Sequence, residues 1–271
     1  MDLFVRESGP VGAPAIVFLH GGEYSGRSWH SVVERMQRYR CLVPDLPHHG
    51  ESFQPGPFEM AGAATAVAEL IRSRVGTGRV HVVGHSLGAQ VGVQLLATEP
   101  ELVDRAVLCG TIVNAMPVVR LTAPLLGLVA WISRSVTMRR NARLVGVPSA
   151  KIDDYREDVR LLPPAQVAHL VAASGGFTIP EGLDKSDSPT LFLTGSEEMR
   201  LIRRSAAALA QRTPNGVEGV AIGMDHDWPL RYPDLFCRTV DGWLSGTVLP
   251  PEIALPNSAH QTSRRARRSS S

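Results

Sequence analysis

The chain has 271 residues, 44% of them hydrophobic and 20% charged, which fits one globular α/β domain carrying an insertion. Three scattered cysteines, Cys41, Cys109 and Cys237, sit among apolar neighbours, which excludes a disulfide framework or a cysteine metal site and points to a reducing, cytoplasmic setting. The formal net charge of +2 comes from the end of the chain: residues 248–271 hold four arginines and one acid, leaving 24 basic and 25 acidic residues elsewhere, so no nucleic-acid partner is expected.

Met1-Asp2-Leu3-Phe4-Val5-Arg6-Glu7 has no basic start followed by an apolar core and reads as the approach to a first strand, not a secretory leader. Leu3 to Ser8 and Ala15 to Leu19 read as strands split by a Gly/Pro turn, Ser28 to Gln37 as a helix, and Cys41 to Pro44 as a short buried strand. Glu59 to Arg74 is alanine-rich with helical periodicity. Val80 to Val83 is a strand, Ser86 to Ala97 the helix after it, and Ala106 to Leu108 the next strand. Strands that are unbroken apolar runs, alternating with helices, predict a mostly parallel, doubly wound sheet covered on both faces.

The alternation stops after Cys109. From Asn114 to Asp187 no strand pattern appears, and the segment reads as a helical cap. Pro124 to Ser133 is strongly apolar (Leu125, Leu126, Leu128, Val129, Trp131, Ile132), a basic run from Met138 to Arg143 follows, and Ala165 to Ala173 is again helical. The apolar run is shorter than the roughly 20 residues that cross a bilayer, so no integral membrane segment is expected and these side chains are expected to line an apolar pocket. Strand and helix resume with Thr190 to Thr194, Leu201 to Gln211, Val217 to Ile222 and Pro229 to Leu244. The expected organisation is therefore core 1–113, helical cap 114–187, core 188–247, and a disordered basic tail 248–271 whose removal leaves activity unchanged.

Gly84-His85-Ser86-Leu87-Gly88 lies where an apolar strand meets a small-residue helix. That is the G-x-S-x-G elbow in its strand–turn–helix setting, which holds a serine in a tight turn with a helix N-terminus behind it. With His20-Gly21-Gly22, Ser28-Trp29, Val43 to Ser52, Leu191 to Gly195 and Gly223 to Pro229 in the same order, the chain from Val5 to Leu244 resembles the α/β-hydrolase superfamily, in its compact group with an inserted cap.

The resemblance implies a nucleophile, a base and an acid. Ser86 is the nucleophile, and a serine hydroxyl needs an adjacent imidazole to take its proton. Of nine histidines, His226 alone follows a late strand in the loop before the final helix, where the family places its base. His48 and His49 are the runners-up. The family's acid follows the strand at Thr190 to Thr194, where this chain reads Gly195-Ser196-Glu197-Glu198: Glu198 is the positional match, Glu197 one register away, and glutamate replaces the usual aspartate. Asp45 braces its loop. The oxyanion donors implied are the backbone N–H groups of Leu87 and Gly22, with Glu23 the alternative to Gly22; glycine at 22 suggests a backbone conformation few side chains permit. His48 stands where the family pattern has glycine.

The resemblance thus implies a serine hydrolase for a carboxylic ester or related acyl substrate, acting through a Ser-His-Glu triad and an acyl-enzyme with no metal or organic cofactor, and the Leu, Val and Trp of the cap segment suggest a small molecule of medium size that is fairly apolar. Thioester hydrolysis, C–C bond hydrolysis, perhydrolysis and cofactor-free lyase chemistry use the same apparatus. Epoxide hydrolases and haloalkane dehalogenases use an aspartate where this chain has Ser86. The other class of reading is a non-catalytic ligand-binding protein.

Overall fold

The apolar runs do become strands, and the computed structural model orders them into one sheet; it describes residues 2–22, 24–113, 122–125, 127–129, 132 and 162–256. The strands are β1 (Val5–Ser8), β2 (Ala15–Leu19), β3 (Arg40–Pro44), β4 (Val80–His85), β5 (Val103–Cys109), β6 (Thr190–Gly195), β7 (Gly216–Ala221) and β8 (Ile253–Ala254). Their spatial order is β1-β3-β2-β4-β5-β6-β7-β8. β2 through β7 run parallel, and β1 and β8 are antiparallel edge strands.

β2 shows why its sequence is apolar throughout. Ile16 and Phe18 pack on one face with Trp29, Phe236 and Val240, while Val17 and Leu19 pack on the other with Val67, Leu95 and Leu209. A strand buried on both faces has no polar side to show. The covering helices are α1 (His30–Val33), α2 (Met60–Val75), α3 (Leu87–Thr98), α4 (Pro164–Gly175), α5 (Arg200–Arg212), α6 (Trp228–Arg231) and α7 (Pro233–Ser245). α2, α3 and α5 lie on the Val17 face; α1 and α7 lie on the Ile16 face.

Several expectations change. The helix expected over Ser28 to Gln37 is a 3-10 turn, Gly26–Trp29, followed by the single turn of α1. Burial of Trp29, whose ring lies 5.5 Å from Phe18 and 5.6 Å from Phe236, decides the local path over helical propensity. The last helix is two. Tyr232 leaves the helical region (φ −121°, ψ 62°) because Pro233 crowds the residue before it. The expected tail at 248–271 begins too early: Ile253 and Ala254 form β8, with Ala254 opposite Val220 and Ile253 opposite Ala221. A two-residue strand carries no periodicity and is made by its partner. Residues 257–271, with the arginine run, lie outside the described residues, as do the basic run at 138–143, Leu126 and Trp131.

Between 114 and 187, where a helical cap is expected, the described residues contain helices and turns and no strand. Residues 122–125 and 127–129 are helical and cross α4 closely: a Cβ on Gly127 would sit 2.7 Å from the Ala168 Cα. Of the residues expected to line a pocket, Leu125, Leu128, Val129 and Ile132 are exposed. In sequence they are spaced i, i+3, i+4 and i+7, the spacing of one helical face. Leu162, Val167, Leu170 and Phe177 are buried in the apolar cluster that α2 and α3 share. No helix among the described residues is long and apolar enough to cross a membrane.

Candidate active site

The chain turns back on itself between β2 and β4. Strands on one side continue to β3 and β1, those on the other to β5 and beyond, so the loops after β2 and β4 splay apart at their carboxyl ends. The residues singled out from the sequence all follow parallel strands at this end: Gly22 after β2, His48 and His49 after β3, Ser86 after β4, Glu198 after β6 and His226 after β7.

Ser86 occupies the turn from β4 to α3 with φ 54° and ψ −115°, a conformation that side-chain-bearing residues seldom adopt. It is one of two non-glycine residues with positive φ among the described residues. Its N–H donates to the Cys109 carbonyl at 2.8 Å, which pins the strained turn to β5. α3 can begin so close to the sheet because residue 88 is glycine: a Cβ there would fall 2.2 Å from the Leu19 carbonyl oxygen.

His226 and Glu198 are brought together by a second close approach. A Cβ on Gly195 would fall 2.1 Å from the Met224 carbonyl oxygen, so only glycine lets the end of β6 pass under the loop after β7. Across that crossing, His226 Nδ1 and Glu198 Oε1 are 3.1 Å apart. Glu198 has a fully buried side chain and His226 a partly exposed one. Burial disfavours the imidazolium, but the Glu198 hydrogen bond and charge, aided by Asp227 and Asp225, more than offset it and raise the His226 pKa above its ordinary value. Glu197 is exposed and within reach of Ser196 Oγ, away from the His226 ring that Glu198 meets.

Gly110 went unnoticed in the sequence. It follows β5, with φ 72°, and a Cβ there would lie 2.7 Å from His226 Cε1, 3.0 Å from His226 Nδ1 and 3.5 Å from Glu198 Oε1. Its missing side chain is the space in which the imidazole and carboxylate meet. The only local hint is a glycine ending an apolar strand.

Gly22 and Leu87 also meet: a Cβ at 22 would contact Leu87 Cδ2 at 3.4 Å. The expected special backbone at Gly22 is not found, because its φ lies outside the left-handed region and an added methyl would make ordinary contacts. Glu23 lies outside the described residues. Neighbouring imidazoles shape this loop. Buried His20 accepts the Leu46 N–H on Nε2 (2.9 Å), so Nδ1 carries the proton and donates to the Gly21 carbonyl at 2.8 Å. His49 stands between the carbonyls of Pro47 (2.9 Å) and Gly22 (3.1 Å). Burial, with His20 adding to it, pushes its pKa down to about 3, so it is neutral and donates to one of the two at a time.

His48, at the family's glycine position, keeps the glycine-like conformation at φ 66°, with Nδ1 against the Gln54 carbonyl. Asp45 braces this loop as expected, accepting from Arg6 (2.7 Å) and from the N–H groups of Gly26 and Glu51 (2.8 Å each). Burial works against its charge, but His20, Arg6 and the Glu51 N–H hold its pKa below the usual carboxylate range.

A family model described as the alpha/beta hydrolase fold matches residues 14–137. Lipase LipV of Mycobacterium tuberculosis is 35% identical over 108 residues, covering 40% of this chain and 41% of that protein. The chain thus spans about two fifths of the length of this curated relative. Over nearly the whole chain the likeness is to solved structures. A hydrolase from Pseudomonas aeruginosa PA01 has a TM-score of 0.74 at 22% identity, covering 89% of this chain and 94% of that one. A thermophilic esterase from Thermogutta terrifontis has 0.73 at 21%, covering 90% and 93%. At these identities the structures speak for the fold.

Proposed function

Since the chain belongs to the alpha/beta hydrolase superfamily, we propose that it is a serine hydrolase that cleaves a carboxylic ester or a closely related acyl bond. The observation that carries this reading is the His226–Glu198 pair, 3.1 Å apart, at the strand ends beside a strained Ser86. A buried carboxylate on Nδ1 leaves Nε2 as the proton acceptor, which is the tautomer a base needs.

In this reading Ser86 Oγ attacks the substrate carbonyl carbon while His226 Nε2 takes its proton. Glu198 stabilises the imidazolium that forms. The N–H groups of Leu87 and Gly22 receive the oxyanion, and Leu87, as the first residue of α3, adds the helix N-terminal field. Collapse releases the alcohol, which takes its proton from His226, and leaves an acyl group on Ser86. A water molecule deprotonated by His226 then attacks the acyl carbon, and the acid leaves as Ser86 regains its proton. The apolar sequence at 124–133 suggests an apolar acyl or alcohol group. Cys41, Cys109 and Cys237 are buried free thiols, which supports a reducing compartment.

Fluorophosphonate labelling followed by peptide mapping tests the reading. A single adduct on Ser86, lost in His226→Ala and strongly slowed in Glu198→Gln, is the expected result. A folded, unlabelled protein that also fails to hydrolyse p-nitrophenyl esters refutes it.

A further inference from the structure

The scheme above leaves one buried imidazole beside the candidate triad without a task. His85 precedes Ser86 in the elbow, and its side chain is 1% exposed. Its Nε2–H donates to the main-chain carbonyl of His226 at 3.0 Å. That bond fixes the tautomer, and Nδ1 is then a lone pair with no hydrogen-bond partner. Nδ1 is turned toward the loop after β2, where a Cβ on Gly21 would lie 3.3 Å from it. One ring therefore touches the backbone of the base, belongs to the backbone of the nucleophile and abuts the loop of the expected oxyanion donor.

The His226 loop needs such a tie. Residues 222–227 are exposed or half-buried, so packing does little to fix them. Other bonds hold the main chain on either side, the Glu197 N–H donating to the Met224 carbonyl at 2.9 Å and the Gly223 N–H to Ser196 Oγ at 2.8 Å, or bind side chains of neighbouring residues. Tyr24 Oη lies 3.3 Å from Asp227 Oδ1, and Arg231 pairs with Asp225 at 2.6 Å. His85 alone among these holds the main chain of His226 itself.

We infer that His85 is a positioning residue for the same reaction, holding the His226 main chain so that the imidazole stays aimed at Ser86. The inference rests on the serine hydrolase reading. The residue type follows from the surroundings. The group must donate a hydrogen bond, which phenylalanine cannot. It must also be uncharged, because its ring centroid is 4.9 Å from that of His226, where a second cation would oppose the imidazolium formed during the reaction. The charged group facing His85 is Asp227, at 4.0 Å, and it favours the cation. Burial outweighs it and, with His226, brings the His85 pKa down to about 4, so the ring is neutral at working pH.

The test compares His85→Met, which keeps bulk and loses the donor, with His85→Gln and His85→Asn, the same amide with and without the reach to the carbonyl. Each is made in the full chain and checked by thermal melt. kcat, KM and the rate of fluorophosphonate labelling at Ser86 are then measured. Misplacing a catalytic group by about 1 Å costs on the order of 10²-fold, so we expect losses of about 10-fold or more in kcat and labelling for Met and Asn. KM should stay within about twofold, and Gln should recover most of the rate. Equal rates for Asn and Gln, or a folded His85→Met labelled at the wild-type rate, overturn the inference; should His85→Met not fold, the Asn–Gln pair decides. A labelled wild type with indifferent His85 variants sinks this inference alone. An unlabelled wild type that cleaves no ester sinks the hydrolase reading and this inference with it.

Discussion

If the serine hydrolase reading holds, replacing Gly110 with alanine should lower activity far more than stability. The new Cβ would lie 2.7 Å from His226 Cε1, whereas comfortable contact begins near 3.4 Å, so the imidazole must retreat by about 0.7 Å. The obstacle is a side chain and not backbone, and the sheet beneath has no need to move. A ring displaced that far cannot keep its 3.1 Å bond to Glu198. The expected loss is about 10- to 100-fold in kcat. Alanine at a φ of 72° adds strain of about 1 kcal/mol, a fall in Tm of roughly 2–4 °C. The assay is steady-state hydrolysis of a p-nitrophenyl ester beside a calorimetric melt. A Gly110→Ala protein with full kcat would refute the claim that this glycine makes room for the imidazole.

Gly88→Ala should behave in the opposite way, because its Cβ would strike the backbone of β2 at Leu19, 2.2 Å away. A cost of about 3 kcal/mol or more and a Tm lower by roughly 6–12 °C are expected, and a melt within 2 °C or so of wild type would count against it. The base must be neutral to act, so kcat/KM should fall as pH drops through the His226 pKa, with the acid limb above the ordinary 6.5. Glu198→Gln removes the group that raises it. The limb should move to lower pH while kcat drops on the order of 10²-fold or more, and a stationary limb would argue that Glu198 is not the partner. Stability should decline between pH 7 and pH 5. His49 and His85 have folded pKa values depressed to about 3 and about 4, and His20 is depressed as well, so below their unfolded value of 6.5 the unfolded chain takes up protons that the folded one refuses. At pH 5 the penalty is about 2 kcal/mol for each of the first two, against which His226, raised, is a single opposing group. A Tm flat over that range would show these imidazoles to be hydrated.

The elements that read well from the sequence are those whose signal is local. β2, β4 and β6 are apolar runs buried on both faces, and Gly84 to Gly88 joins a strand to a helix within five residues. The sequence singles out His226 among nine histidines through the chain order of the family, and the structure brings it to Glu198. What stayed hidden depends on partners distant in sequence. Gly110 matters only because the strand order puts β5 between the elbow and the acid. Which of Glu197 and Glu198 meets His226 depends on which one the loop buries. The exposed residues Leu125, Leu128, Val129 and Ile132 read as a pocket lining because apolarity names a buried face without saying what buries it, and here nothing described does. Pro233 was legible as a helix break and was passed over, since the apolar periodicity runs on through it.

β8 also governs how the sheet meets its own kind. An unpaired strand edge recruits other strands and seeds aggregation. At one margin β1 is four residues long and charged, with Arg6 paired to Asp45 and Glu7 to Arg40 and Arg74. At the other, two residues of β8 cover β7. A truncation after residue 247, at the boundary the sequence suggested, would uncover the β7 margin, Gly-Val-Glu-Gly-Val-Ala, as an open template. The shortened chain should therefore precipitate or form soluble aggregates by size-exclusion chromatography under conditions where the full chain does not, and a cut after residue 256 should spare it.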